Sequence, residues 1–185
     1  ENIQNHVDSL LGFEIIEHHP HSCKLKNVAE TKPEEFESML LRMFNICSSM
    51  LEEMYDFVEK KDPTALKRIL LMDKTLSRID LFCRRMINIG SGIPMRKAGS
   101  TYATVRLLEE VGDICCRIAD HKIEIAPINK EYFKKIIKSL STAFSLLRSV
   151  RYKGELDLIY EYKELKQKLY PQLDEKRKMN SSEEH

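Results

Sequence analysis

Glu109 and Asp113 stand four residues apart in the run Leu108-Glu109-Glu110-Val111-Gly112-Asp113. If that run is helical, the two carboxylates lie one turn above the other on one face. Ionised, they repel by roughly a few tenths of a kcal/mol unless a cation stands between them. Hard oxygen ligands on a rigid helix suit Mg, Mn, Ca or Fe. The competing reading is an ordinary solvated face, with Arg106 paired to Glu109 or Glu110 and Arg117 paired to Asp113. Acid pairs at helical spacing are common, so spacing alone favours that second reading. Gly112 costs the helix about 1 kcal/mol against alanine, and the return expected is close approach of a neighbouring helix.

Other reactive residue types form no such pattern. His18, His19 and His21 cluster beside Pro20, where a surface turn explains them better than a ligand set. His121 follows Asp120 near a helix end, a setting that favours a solvated or dipole-stabilised imidazole. A ferritin-like di-metal centre needs Glu-x-x-His on two helices, and the sequence has neither. No phosphate-binding loop, nucleophile elbow or Ser–His–Asp pattern occurs, so the chain reads as a non-enzyme. Cys23, Cys47, Cys83, Cys115 and Cys116 are odd in number and lack a C-x-x-C pair. They read as small reduced core residues of a cytoplasmic protein rather than a disulfide framework or zinc site.

The elements that must position the acids are long helices. Ile3, Val7, Leu10 and Leu11 mark a short amphipathic helix over residues 2–11. Gly12–His18 and Ser22–Val28 alternate as two strands, with His19-Pro20-His21 as the turn, and a lone hairpin must lean on the helices C-terminal to it. From Pro33, apolar residues such as Phe36, Leu40, Met43, Cys47, Met50 and Met54 recur every three or four positions. Asp62-Pro63 restarts a helix with an N-cap and a first-turn proline, running to about Asn88. Gly90-Ser91-Gly92-Ile93-Pro94 breaks it. A third helix spans roughly 95–125 and turns Tyr102, Val105, Leu108, Val111, Cys115 and Ile118 inward. Pro127 stops that pattern. A fourth begins near Asn129, with Phe133, Ile137, Leu140, Phe144 and Leu147 inward. A fifth carries Leu156, Ile159, Tyr162, Leu169 and Tyr170 to Pro171, which is expected to kink or end it. The unit at 33–88 recurs weakly at 129–170 without a third helix after it. Short connections favour antiparallel neighbours, so the fold class expected is mainly α, an up-down antiparallel bundle with a short N-terminal helix and β-hairpin.

Composition agrees. Hydrophobic residues at 42% and charged residues at 32% exclude a disordered chain, and six Gly and six Pro are too few for an all-β fold. A formal charge of +1 supplies no global field for nucleic acid or a membrane. The basic residues Arg84, Arg85, Arg96, Lys97, Lys134, Lys135 and Lys138 are interleaved with acids, as on a solvated face. No apolar run approaches bilayer length, so no membrane insertion is expected. Opening on Glu1 rather than Met, the chain is expected to be a fragment of a longer protein.

Leu108-Glu109-Glu110-Val111-Gly112-Asp113, followed by Ile118-Ala119, resembles the PhoU family pattern Leu-Glu-Arg-Ile-Gly-Asp…Ile-Ala, with Glu110 for Arg and Val111 for Ile. Upstream, Leu41-Arg42-Met43-Phe44, Met50-Leu51 and Asp62…Ala65…Asp73…Arg78 are similar to the family's first two helices. Leu11-Gly12-Phe13-Glu14-Ile15-Ile16 resembles the linker of archaeal members, which often carry an AbrB-like DNA-binding domain upstream. The resemblance covers about residues 7–124 and weakens beyond. It implies a PhoU-like helical bundle divided as a helix-and-hairpin linker at 1–32, a three-helix bundle at 33–126, two helices of an incomplete second repeat at 127–175, and a flexible tail at 176–185. It further implies metal binding through an acidic pattern that Glu109 and Asp113 match, with Asp73 on the preceding helix. The ion would be divalent or ferric: Mg, Mn, Fe or Zn. Ser77 stands where a second acid would follow Asp73, and no second copy of the motif occurs. The function implied is control of phosphate uptake or phosphate-responsive gene expression, through contact with a phosphate transporter or signalling protein. The missing helix favours a homodimer, and DNA would be reached only through a domain absent here. The alternatives are the effector and dimerisation half of a DNA-binding regulator, and a helical dimerisation scaffold without metal.

Overall fold

The computed structural model describes residues 3–19, 21–28, 32–60, 62–90, 93–120 and 130–182, with the backbone alone at residues 120 and 172–182. Helix α1 (Ile3–Asp8) leads through Gly12, whose φ of 78° favours glycine. It enters an antiparallel pair, β1 (Phe13–His19) and β2 (Ser22–Asn27). Phe13 pairs with Asn27 and His19 with Ser22, and Ile16 is the extra residue at a bulge. Pro20 lies outside the described residues. Most of the hairpin is exposed, so it is no layer of the core. What ties it to the helices is Arg85, whose Nη2 donates to the Leu11 carbonyl at 2.9 Å. Its guanidinium lies 4.5 Å from the Phe13 ring centre and 5.3 Å from that of Phe82.

Three long helices make the main bundle: α2 (Pro33–Lys60), α3 (Pro63–Asn88) and α4 (Met95–Asp120), each packed on the other two. The turn into α3 forms as its residues dictate. Asp62 is extended, its carboxylate accepts from the Thr64 N–H at 2.9 Å, and Pro63 opens the helix. Arg68 then grips Glu53 of α2 with two prongs, Nε at 2.7 Å and Nη2 at 2.6 Å. The core is the stripe the periodicity marks. Leu40, Met43, Cys47 and Met50 face Ile69, Leu76, Ile79, Cys83 and Met86, with Val105 and Leu108 completing it, all essentially removed from water. Each of the larger side chains contributes about 1.5–3 kcal/mol by burial. Gly90, with φ 69°, ends the turn after α3.

Helix α5 (Lys130–Lys153) rests on α2, and α6 (Leu156–Ser182) rests on α5. Ile137 and Phe144 of α5 join the main core, and the Phe44 and Phe144 ring centres are 5.4 Å apart. Charge complements the contact: acid-rich α2 meets base-rich α5 through Lys134 with Glu59 at 2.7 Å and Arg151 with Glu37 at 3.1 Å.

Several expectations fail. Leu140 and Leu147 are exposed rather than inward, and Leu156 and Tyr170 are exposed too, because among the described residues no third helix lies over α5 and α6. Tyr102 is exposed as well. Nor does Pro171 end α6, which runs on to Ser182 through residues expected to be a polar tail. Gln167 and Pro171 are both exposed, so the carbonyl left without its N–H partner can be met by water. Residues 121–129, including His121 and Pro127, lie outside the described residues.

Candidate functional site

The acids meet along the joint between α3 and α4. Asp73, Ser77, Asp80 and Arg84 succeed one another at spacings of four, three and four on α3, and Arg106, Glu109, Asp113 and Cys116 at three, four and three on α4. Such spacing keeps each set on one face, so two polar stripes run side by side at the edge of the core. Gly112 lets them come close. A Cβ there would collide with Leu76 Cδ2 and lie 3.6 Å from Asp73 Oδ1. The same run is tied to α2, since the buried Cys47 thiol donates to the Leu108 carbonyl at 3.3 Å.

Asp80 anchors one end. It is 2% exposed, and its Oδ2 lies 2.6 Å from Arg84 Nη2 and 3.6 Å from Arg106 Nη1. Its other oxygen, Oδ1, has no hydrogen-bond partner. Arg106 Nη1 also approaches Glu109 Oε2 to 2.9 Å; the contact is ionic, since its angles do not make a hydrogen bond. Burial pushes the Glu109 carboxyl above its ordinary range and Asp113 raises it further, while Arg106 pulls the other way. At the far end burial likewise raises Asp73, opposed by the Cys116 thiol donating to it and reinforced by the charge of Asp113.

The three sequence candidates therefore share one electrostatic neighbourhood, with Asp113 acting on both Asp73 and Glu109. Their fit to a metal is partial. Arg106 already neutralises Glu109, and among the described residues no group of three or more His, Cys, Asp or Glu side chains is arranged to hold an ion. Arg117 pairs with Glu110 at 3.5 Å instead of Asp113, out on the exposed face. Sequence reasoning missed Asp80 and treated Arg84 as a scattered surface base. The signal was there: an acid and an arginine four apart, set among Ile79, Phe82 and Cys83. What the row can do chemically is attract positive charge, whether an arginine of its own, a metal ion or a basic group of a partner. It holds no activated nucleophile.

Most of the stretch that forms these three mutually packed helices matches a known domain. Residues 40–121 match the PhoU domain. The PhoU match begins in α2, takes in all of α3 and reaches just past α4, so it contains Asp73, Asp80, Glu109, Gly112 and Asp113. Helices α5 and α6 and the N-terminal hairpin fall outside the PhoU match. No curated protein and no solved structure gives a significant match to the chain.

Proposed function

We propose that this chain is a non-enzymatic regulatory protein of the PhoU family. It acts in the cytoplasm to control phosphate uptake or phosphate-responsive gene expression through protein contacts. The observation that carries this is the PhoU domain match over residues 40–121, which coincides with the α2–α4 bundle. The partner is a phosphate transporter or signalling protein, and the linker-like Leu11–Ile16 run supports the archaeal type, in which an upstream domain would contact DNA. The test is phosphate uptake in cells lacking the protein, grown with ample phosphate. Uptake is expected to rise and to return to normal on complementation. Unchanged uptake and unchanged phosphate-responsive transcription would sink the reading. Salt-dependent DNA binding by this chain alone would favour a transcription factor's own domain instead.

A second reading, metal binding by Asp73, Glu109 and Asp113, is favoured by the way Asp113 raises both neighbours. A bound cation would neutralise that row and could bridge to a phosphate or a partner's carboxylate, and Arg106 would have to release Glu109. Elemental analysis of protein purified without chelator decides it, beside Glu109→Ala and Asp113→Ala. Wild type carrying no more metal than the variants refutes the ligand assignment.

A further inference from the structure

Toward its C-terminal end, α5 lays a row of hydrogen-bond donors along a groove beside α2. Leu41 of α2 forms one side, and Ser145, Arg148, Ser149, Tyr152 and Lys153 of α5 form the other. Spacings of three, one, three and one keep all five on one helix face. The groove has a volume of about 490 Å³, within the range of sites for small ligands. No carboxylate lines it. Glu37 of α2, whose charge reaches Tyr152, is already taken by Arg151 at 3.1 Å.

The donors are uncommitted. Hydroxyls within a helix commonly bond back to the carbonyl four residues earlier, as Ser48 does to Phe44 and Thr142 to Lys138. Ser145 and Ser149 make no side-chain hydrogen bond among the described residues, and Arg148 and Lys153 pair with no carboxylate there. Lys153 sits in the last turn, where a base answers the helix dipole; Arg148 lies five residues before the end of α5, beyond that reach. It is half-buried all the same, and a guanidinium drawn partly out of water gains from an anion set against it. Tyr152 is held by Phe44, the two rings edge-on with centres 6.1 Å apart. Burial and the charge of Glu37 push its phenol above the ordinary range, so the hydroxyl keeps its proton and can donate.

We propose that this groove binds a chain of linked phosphoryl groups, held by Arg148 and Lys153 and by the hydroxyls of Ser145, Ser149 and Tyr152. The Arg148 fork gives one phosphoryl group two parallel N–H bonds. Lys153 sets a compact charge against the next, and the hydroxyls donate to the oxygens that remain. Ser145 and Lys153 stand about 12 Å apart along the helix axis, so the row is too long for a single phosphate ion and suits a chain of two or more. A lone carboxylate would leave most of these donors idle, whereas each phosphoryl group presents several acceptor oxygens. Inorganic polyphosphate and nucleoside triphosphates carry the same chain. The groove lies on α2 and α5, away from the acid row of α3 and α4, and is independent of the regulatory reading above.

Calorimetric titration of the full chain with tripolyphosphate tests it, at about 0.15 M salt and with EDTA present so that no bridging ion takes part. Wild type is expected to bind with a Kd of about 0.1 mM or tighter. Arg148→Ala and Lys153→Ala should each weaken binding about tenfold, and Ser149→Ala about threefold. Lys135→Ala removes an exposed base of the same helix outside the groove and should bind as wild type does. Inorganic phosphate, which reaches one end of the row only, should bind at least about tenfold more weakly than tripolyphosphate. ATP as a second titrant identifies the source: an affinity up to about tenfold above that of tripolyphosphate assigns the bare chain, and a greater one assigns a nucleotide. Lys153→Ala, at an exposed helix end, carries the test should Arg148→Ala lose its helical circular dichroism. Binding of neither titrant, unchanged affinity in the two base variants, an equal loss in Lys135→Ala, or inorganic phosphate binding as tightly as tripolyphosphate overturns the proposal.

Discussion

Replacing Gly112 by alanine sets two effects of similar size against each other. Alanine favours a helix interior by about 0.8–1.0 kcal/mol over glycine. The added methyl, however, meets Leu76 Cδ2, and Leu76 is 0% exposed, held by the core on every side. Overpacking of that kind costs about 1–3 kcal/mol, so the net change is a loss of about 0–2 kcal/mol. Two companions separate the terms. Gly99 lies on the same helix with nothing within 4 Å of its Cβ position, so Gly99→Ala should realise the whole propensity gain. Leu76→Ala costs about 2–5 kcal/mol alone; with Leu76 gone, Gly112→Ala should turn stabilising by about 1 kcal/mol. Urea unfolding of the four members of the cycle, monitored by circular dichroism, reads a coupling of about 1–3 kcal/mol. Additive effects, with Gly112→Ala stabilising as much as Gly99→Ala, would refute the claim that this glycine exists to let α4 approach α3.

Buried polar and sulfur groups give two further outcomes. Asp80→Ala leaves Arg84 and Arg106 without their shared carboxylate and should cost about 3 kcal/mol, the low end for a broken buried pair because both arginines reach solvent; Glu110→Ala, on the exposed face, should leave the thermal midpoint unchanged, and equal effects of the two would contradict the assigned roles. Burial pushes the Cys47 and Cys83 thiols up to about 12 and Cys115 to about 11, so at pH 8 a thiol reagent should spare these three in the native protein and reach all five cysteines in urea. A folded pKa above the ordinary 9.0 means the stabilisation is complete below pH 9 and is lost as pH rises toward 11–12. The denaturation midpoint should therefore fall over that range, and fast native labelling of Cys47 would refute the burial argument.

The helices were legible because their punctuation is local. Asp62-Pro63 and Gly90 act within a few residues of themselves, and the three-four recurrence of Met43, Cys47, Met50 and Met54 depends on nothing outside α2. Gly112 was legible too, since a helix tolerates glycine at such a place only for close contact. Partnership across helices was harder to read. Arg106 had two acids within reach and took Glu109, plus an Asp80 that no one-dimensional pattern connects to it. Inwardness was over-read in α5 and α6, because periodicity reports an apolar face but not whether anything covers it. Leu140 and Leu147 keep core spacing and stay in water. Pro171 was expected to kink or end its helix; α6 does not end there, and both Gln167 and Pro171 are exposed, where water can satisfy a freed carbonyl.

Met43, Met50, Met54, Met86, Cys47, Cys83 and Cys115 all sit in the one bundle core, so much of its interior is lined with sulfur. Thioethers adapt their shape readily, which makes such an interior tolerant of small shifts between helices. They are also chemically markable. An opening that admits an oxidant turns methionine into a polar sulfoxide and a thiol into a sulfenic acid, and neither returns to an apolar slot without cost. Under oxidising stress the bundle becomes a recorder of its own lapses. Each excursion leaves a scar that makes the next one easier, until a reductase erases it.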